Sequence, residues 1–229
     1  DGFILAMGNY PSFDPNEYNE VPKEEERRMR NVAVADVYEP GSVFKIVAVS
    51  AALEEGIATP RSVFDCSIDR ISHRGQMIKL PGEDHHFRNP AAVTMAEVVS
   101  YSSNRGAAQL GVALGEERFY RYTRAFGFGG KLGFPVGGEV SGLLRPLKDW
   151  DPIDLTRVPI GHSISATVIQ MHQAMSVIAN DGVLLRPQVI REVRDASGDL
   201  VYKFGRSEIG RVVSRETART VAQLLTGVA

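Results

Sequence analysis

A single cysteine, Cys66, stands in 229 residues, which excludes any internal disulfide. A basic excess is also missing. The 26 Lys and Arg against 28 Asp and Glu leave a net charge of −2, so the electrostatic footprint of a nucleic-acid partner is absent. No apolar run is long enough to span a bilayer. The best, residues 43–53, is about half the needed length and contains Lys45. No signal-peptide pattern opens the sequence, and no internal repeat or low-complexity segment appears in it. What is there is ordinary globular composition, 43% hydrophobic and 24% charged. A chain of this length has enough material for one large domain or two small ones.

Residues 3–7 read as a strand already under way, and residues 217–228 as an apolar-periodic helix. Both ends suggest a piece of something longer. Pro11-Ser12-Phe13-Asp14-Pro15-Asn16 is turn chemistry, and the charged run 23–30 reads as a solvated face or loop. A helix opens at Pro40-Gly41-Ser42 and runs to Gly56, a C-cap. Residues 60–90 lack clear periodicity and read as short strands and loops. Thr94-x-x-Glu97 is a capping box that starts another helix. That helix breaks at Ser102-Ser103-Asn104, and the next runs over about 106–114 until Gly115. Phe126-Gly127-Phe128-Gly129-Gly130 begins a glycine-rich connection. A helix over 167–179 closes at Asn180-Asp181-Gly182. Residues 189–194 and 200–204 alternate around Ala196-Ser197-Gly198 as a hairpin, and Ser214 caps the last helix. With strands towards both ends and helices between, a sheet built from both ends of the chain is expected.

Ser42 and Lys45 lie three apart at the start of a helix, so they share one face. Lys45 sits inside Val43-Phe44-Lys45-Ile46-Val47. Apolar surroundings disfavour the ammonium form, and a neutral amine can take the Ser proton. The helix start adds free N–H groups suited to an oxyanion. The same pair also reads as an N-cap serine beside a lysine that snorkels to water. Ser-x-x-Lys and a Ser-x-Asn element occur together in serine β-lactamases and penicillin-binding proteins. Here Ser102-Ser103-Asn104 follows at a helix break, which can aim a polar triplet at a neighbouring site, or is simply a polar turn between helices.

The flanking sequence resembles class B penicillin-binding proteins of the division- and sporulation-specific kind over essentially the whole chain. The residues that carry this are Ile4-Leu5-Ala6-Met7 leading into the turn at residues 11–16, and Arg30-Asn31 followed by Asp36-Val37-Tyr38-Glu39-Pro40-Gly41-Ser42-Val43-Phe44-Lys45. Further along they are Glu97-Val98-Val99-Ser100-Tyr101-Ser102-Ser103-Asn104, Phe126-Gly127-Phe128-Gly129, Gly138-Glu139 with Ser141-Gly142, and Ile178-Ala179-Asn180-Asp181-Gly182. The resemblance implies one transpeptidase domain over residues 1–229. Its fold would be the mixed α/β architecture of β-lactamases and transpeptidases, an antiparallel sheet flanked by helices with an all-helical subdomain. It implies D,D-transpeptidase activity on peptidoglycan stem peptides, acylation by β-lactams, and no cofactor. Ser42 would attack the penultimate D-alanine and Lys45 would be the base. Ser102 would relay a proton to the leaving amine, and Asn104 would hydrogen-bond Lys45 and the acyl chain. The resemblance further implies cell-wall or division partners, an extracytoplasmic (periplasmic) location, and a membrane anchor preceding Asp1. Alternatives sharing the motifs are a serine β-lactamase or β-lactam sensor, and a non-catalytic scaffold. A class A β-lactamase would carry a Glu-x-x-x-Asn element, which this sequence lacks.

The family's third motif, Lys-Thr-Gly or Lys-Ser-Gly, does not occur. By the family's spacing it is expected a few tens of residues beyond Ala229. Lys131-Leu132-Gly133 and Lys203-Phe204-Gly205 lie too early, lack the hydroxyl, and read as structural. Gly161-His162 stands where the family more often has Gly-Tyr or Gly-Gln, and Thr167 lacks the usual following proline. His162 is either a substrate contact or a loop residue. Cys66, His73, His85 and His86 fit no common zinc spacing, so no metal site is expected.

Overall fold

A computed structural model describes residues 1–82 and 87–228 of the chain. Its helices are α1 (Val32–Ala35), α2 (Lys45–Glu54), α3 (Met95–Ser100), α4 (Asn104–Leu114), α5 (Glu116–Ala125), α6 (Asp154–Arg157), α7 (Val168–Ala179) and α8 (Arg215–Leu225). The strands are β1 (Val63–Phe64), β2 (Arg70–His73), β3 (Gln76–Lys79), β4 (Val93–Thr94), β5 (Val183–Leu185), β6 (Glu192–Arg194), β7 (Leu200–Lys203) and β8 (Glu208–Arg211).

Helix α2 is apolar on every face, so it can be stable only where it is surrounded. It lies at the centre, with Lys45 to Ala52 all buried. Phe44, Phe119, Phe126 and Phe128 fill the space around it and are fully buried. Phe44 meets Phe128 edge-on, with ring centroids 4.8 Å apart. Each such ring removed from water stabilises the fold by about 2–3 kcal/mol. A smaller cluster of Cys66, Val93 and Val98 forms beside the main core.

The ends of the helices follow local chemistry. Thr94 and Glu97 form the expected capping box, and Thr167 and Gln170 form a second one. Gly56 and Gly115 take the positive φ values, +64° and +74°, that allow the chain to leave α2 and α4. Helix α5 did not show in the sequence reading. It is strongly polar outside, but Phe119, Tyr122 and Thr123 share a buried face at i, i+3 and i+4. Two glutamates in its first turn favour the helix dipole.

Among the described residues the strands pair as four separate antiparallel ribbons, β1–β4, β2–β3, β5–β8 and β6–β7. Among the described residues the expected sheet built from both ends of the chain does not form, and its trace is one isolated bridge. Phe3 bridges Gln188 in parallel, and Ile4 N–H donates to the Gln188 carbonyl at 2.8 Å. The strand read over residues 3–7 reduces to that single bridge. Ile4 and Met7 pack on the core while Leu5 faces solvent. Ile4 and Met7, three residues apart, thus anchor this segment with no ladder of partners. The fold is mixed α/β, with α3, α4 and α5 forming the helical region that carries residues 102–104.

Candidate active site

Ser42 lies in a 3-10 turn, Gly41–Phe44, that runs straight into α2. It is exposed, whereas Lys45 one turn later is buried at 7% exposure. The segment before Ser42 is held against residues 161–166. Tyr38 and Ala166 exchange backbone hydrogen bonds of 3.0 and 2.9 Å, and Gly41 N–H donates to the Gly161 carbonyl at 3.2 Å. Ser163 N–H donates to Glu39 Oε1 at 2.9 Å. Gly161 has φ +77°, and a Cβ there would fall 2.2 Å from the Gly41 oxygen. Only glycine allows these two backbones to meet. Tyr38, on the same segment, has its phenol pKa raised by burial, so it adds no charge beside the site at neutral pH.

The second wall comes from the break between α3 and α4. Ser102 takes φ +55°, a conformation uncommon outside glycine. This turns its carbonyl and its hydroxyl towards α2. Lys45 Nζ donates to the Ser102 carbonyl and lies 2.9 Å from Ser102 Oγ. Ser103 is the N-cap of α4. Its Oγ accepts from Gly106 N–H at 3.0 Å and lies 3.4 Å from Cys66 Sγ. Gly106 lets α3 and α4 close on each other, since a Cβ there would fall 2.3 Å from Val98 Cγ2. Asn104 Nδ2 donates to the Gly82 carbonyl at 3.2 Å. Among the described residues it makes no hydrogen bond to Lys45.

Ser42, Lys45 and Ser102 line one end of a cavity of about 360 Å³ whose other walls are apolar, including Val43, Ile46, Val99 and Met175. The buried lysine amine reaches the Ser102 hydroxyl, and the exposed Ser42 opens onto the same cavity. In its neutral form such an amine can accept a proton, and the Ser102 hydroxyl beside it can pass one on.

The other candidates fall elsewhere. The N–H groups of Leu132, Gly133 and Phe134 converge on the buried Glu139 carboxylate, so Lys131-Leu132-Gly133 lies in a closed structural loop. Lys203 lies on the exposed strand β7. His162 is exposed, with its N–H on the Arg157 carbonyl. His73 Nε2 lies 3.1 Å from Glu116 Oε1. His85 and His86 lie outside the described residues. Among the described residues no three His, Cys, Asp or Glu side chains gather as a metal site, and no helix is long and apolar enough to cross a membrane.

Two features of the site were missed in the sequence. One is the Gly41–Gly161 contact, which joins distant segments. The other is Arg105. A cation in the first turn of a helix opposes the dipole, and that mismatch was a readable signal of a specific anchor.

The penicillin-binding protein transpeptidase domain family matches residues 1–229. Penicillin-binding protein PbpB of Mycolicibacterium smegmatis is 35% identical over 227 residues, 99% of this chain and 34% of that protein. Stage V sporulation protein D of Bacillus subtilis is 33% identical over 229 residues, again 34% of its length. The crystal structure of penicillin-binding protein 3 from Mycobacterium tuberculosis complexed with ampicillin superposes with a TM-score of 0.79 at 33% identity. That match covers 93% of this chain and 45% of the other. The chain spans about a third of the length of the curated relatives it matches.

Proposed function

The chain belongs to the penicillin-binding protein transpeptidase domain family, and on that premise we propose that residues 1–229 form the catalytic domain of a class B peptidoglycan D,D-transpeptidase. Ser42 Oγ attacks the carbonyl of the penultimate D-alanine of a stem peptide. Lys45 takes the Ser42 proton as the bond forms. The tetrahedral intermediate expels the terminal D-alanine, whose amine receives a proton by way of Ser102. The amine of a second stem peptide then attacks the acyl-enzyme, releases Ser42 and leaves a cross-link. β-Lactams acylate Ser42 by the same attack, and their opened ring keeps the leaving amine attached. Asn104 orients the acyl chain. Acyl transfer of this kind needs no cofactor. Membership of the family also supports an extracytoplasmic, membrane-anchored setting and partners among cell-wall and division proteins.

The observation that carries the proposal is the buried Lys45 amine, 2.9 Å from the Ser102 hydroxyl, lining one cavity with the exposed Ser42. The test is the intact mass of the full-length natural protein with and without a penicillin, beside Ser42→Ala. The expected result is a covalent adduct on the wild type that persists for hours and is lost in the variant. An adduct that turns over within seconds would assign a β-lactamase instead. No adduct on the wild type would overturn acyl transfer and leave a scaffold.

A further inference from the structure

Arg105 stands beside Asn104 in the first turn of α4, and its guanidinium serves two separate segments. Nη1 donates to the Cys66 carbonyl at 3.0 Å and the Ser67 carbonyl at 3.1 Å. Nε donates to the Pro81 carbonyl at 3.3 Å. The next carbonyl along, that of Gly82, is the one that accepts from Asn104 Nδ2. Neighbouring side chains on α4 therefore grip neighbouring carbonyls at 81 and 82. One turn on, Gln109 Nε2 reaches the Asp65 carbonyl at 2.9 Å. Segments 65–67 and 81–82 flank the β2–β3 hairpin and are closed on each other where Leu80 N–H meets the Asp69 carbonyl. Among the described residues nothing lies within 4 Å of where a Gly82 Cβ would be, and the α4 side chains reach this backbone through hydrogen bonds.

We infer that Arg105 is a positioning residue. It fixes the 81–82 backbone, so that the Gly82 carbonyl is always presented to Asn104 and the Asn104 amide keeps one orientation towards the site. A planar guanidinium suits the task, because its donors point along fixed diverging directions and reach two segments together. A lysine ammonium can satisfy one segment but not both. The inference rests on the acyl-transfer reading of Asn104.

The test is penicillin acylation of the full-length protein, resolved into its limiting rate constant and its apparent dissociation constant, for wild type, R105A, R105K, N104A and the R105A/N104A double variant. R105A is expected to lower the limiting rate constant about tenfold and to leave the dissociation constant within about twofold. R105K recovers only part of the loss. The double variant matches N104A, because two residues acting through one amide are not additive. Wild-type acylation by R105A, or losses that multiply in the double variant, would overturn the inference. If R105A fails to fold, R105K with N104A forms the same cycle. A second readout needs no chemistry. The Asn104 side-chain amide resonances are expected to move towards free-amide positions in the Arg105 variants, and unchanged resonances would overturn the link. If the wild type did not acylate, the acyl-transfer reading would fail, while the resonances would still report on the link between Arg105 and Asn104.

Discussion

Gly161 sets how closely two backbones approach beside Ser42. Its φ of +77° and the 2.2 Å between its would-be Cβ and the Gly41 oxygen leave no room for a side chain. Gly161→Ala adds left-handed strain, roughly 1–2 kcal/mol, and overpacking against rigid backbone, roughly 1–3 kcal/mol. We expect denaturant unfolding to show a loss of about 2–5 kcal/mol, the sum of those two effects. The acylation rate should fall beyond what the unfolded fraction explains, because the Gly41 backbone carries the Ser42 turn. Full activity with wild-type stability would refute this role. Residue-scale legibility divides along the same line. Ser42 and Lys45 were readable because a helix fixes what lies three residues apart. Gly161 was visible only as a glycine before a histidine, since its reason is a contact with residue 41. The positive φ of Ser102 was equally hidden, because polar triplets occupy many turns.

At the scale of elements, α2 is held at its far end by Glu54. Its carboxylate accepts from Ser214 N–H at 3.0 Å and Ser214 Oγ at 2.8 Å, and from Thr217 Oγ1. It therefore clamps the N-terminus of α8. Burial acts to raise the Glu54 pKa, but the hydrogen bonds from Thr217 and Ser214 and the charge of Arg211 outweigh it, and the net shift is downward. A carboxyl whose folded pKa lies below its unfolded value contributes stability above the ordinary carboxylate range. It loses that contribution as pH falls through the folded value. Glu54→Gln is expected to cost about 1.5–3 kcal/mol at neutral pH, the range for hydrogen bonds to charged groups. It should also flatten the acid limb of the stability profile, measured as urea midpoints between neutral and acid pH. An acid limb as steep as the wild type's would remove Glu54 from the explanation. A capping box made the start of α3 legible, because it is written in four consecutive residues, whereas the Thr167–Gln170 box of α7 emerged only in the structure. Helix α5 escaped notice because its buried face is only three residues wide within a polar segment.

For the whole molecule, burial is uneven. The residues of α2, α4 and α7 supply much of the main cluster, whereas β6 and β7 are exposed along their full length. Amide exchange should divide accordingly. Amides of α2 and α7 are expected to exchange only through global unfolding, and those of residues 192–203 through local opening with little dependence on total stability. Equal protection of both regions would contradict the packing described here. The mixed α/β class could be anticipated from the order of strands and helices, whereas the sheet expected from both ends of the chain reduces to the single Phe3–Gln188 bridge. The division of the strands into four ribbons could not be anticipated, because pairing such as β5 with β8 is chosen by tertiary packing and not by local pattern.

The contact between Gly41 and Gly161 also orders events in time. A chain leaving the ribosome presents Ser42, Lys45 and Ser102 long before residues 158–166 appear. Until those residues arrive, nothing seats the Gly41 turn, and α4 lacks the neighbour that Gly111 meets at Pro159. Non-local contacts of this span form late. The nascent chain therefore presents Ser42 before its turn is seated, and that seating waits for residues 158–166.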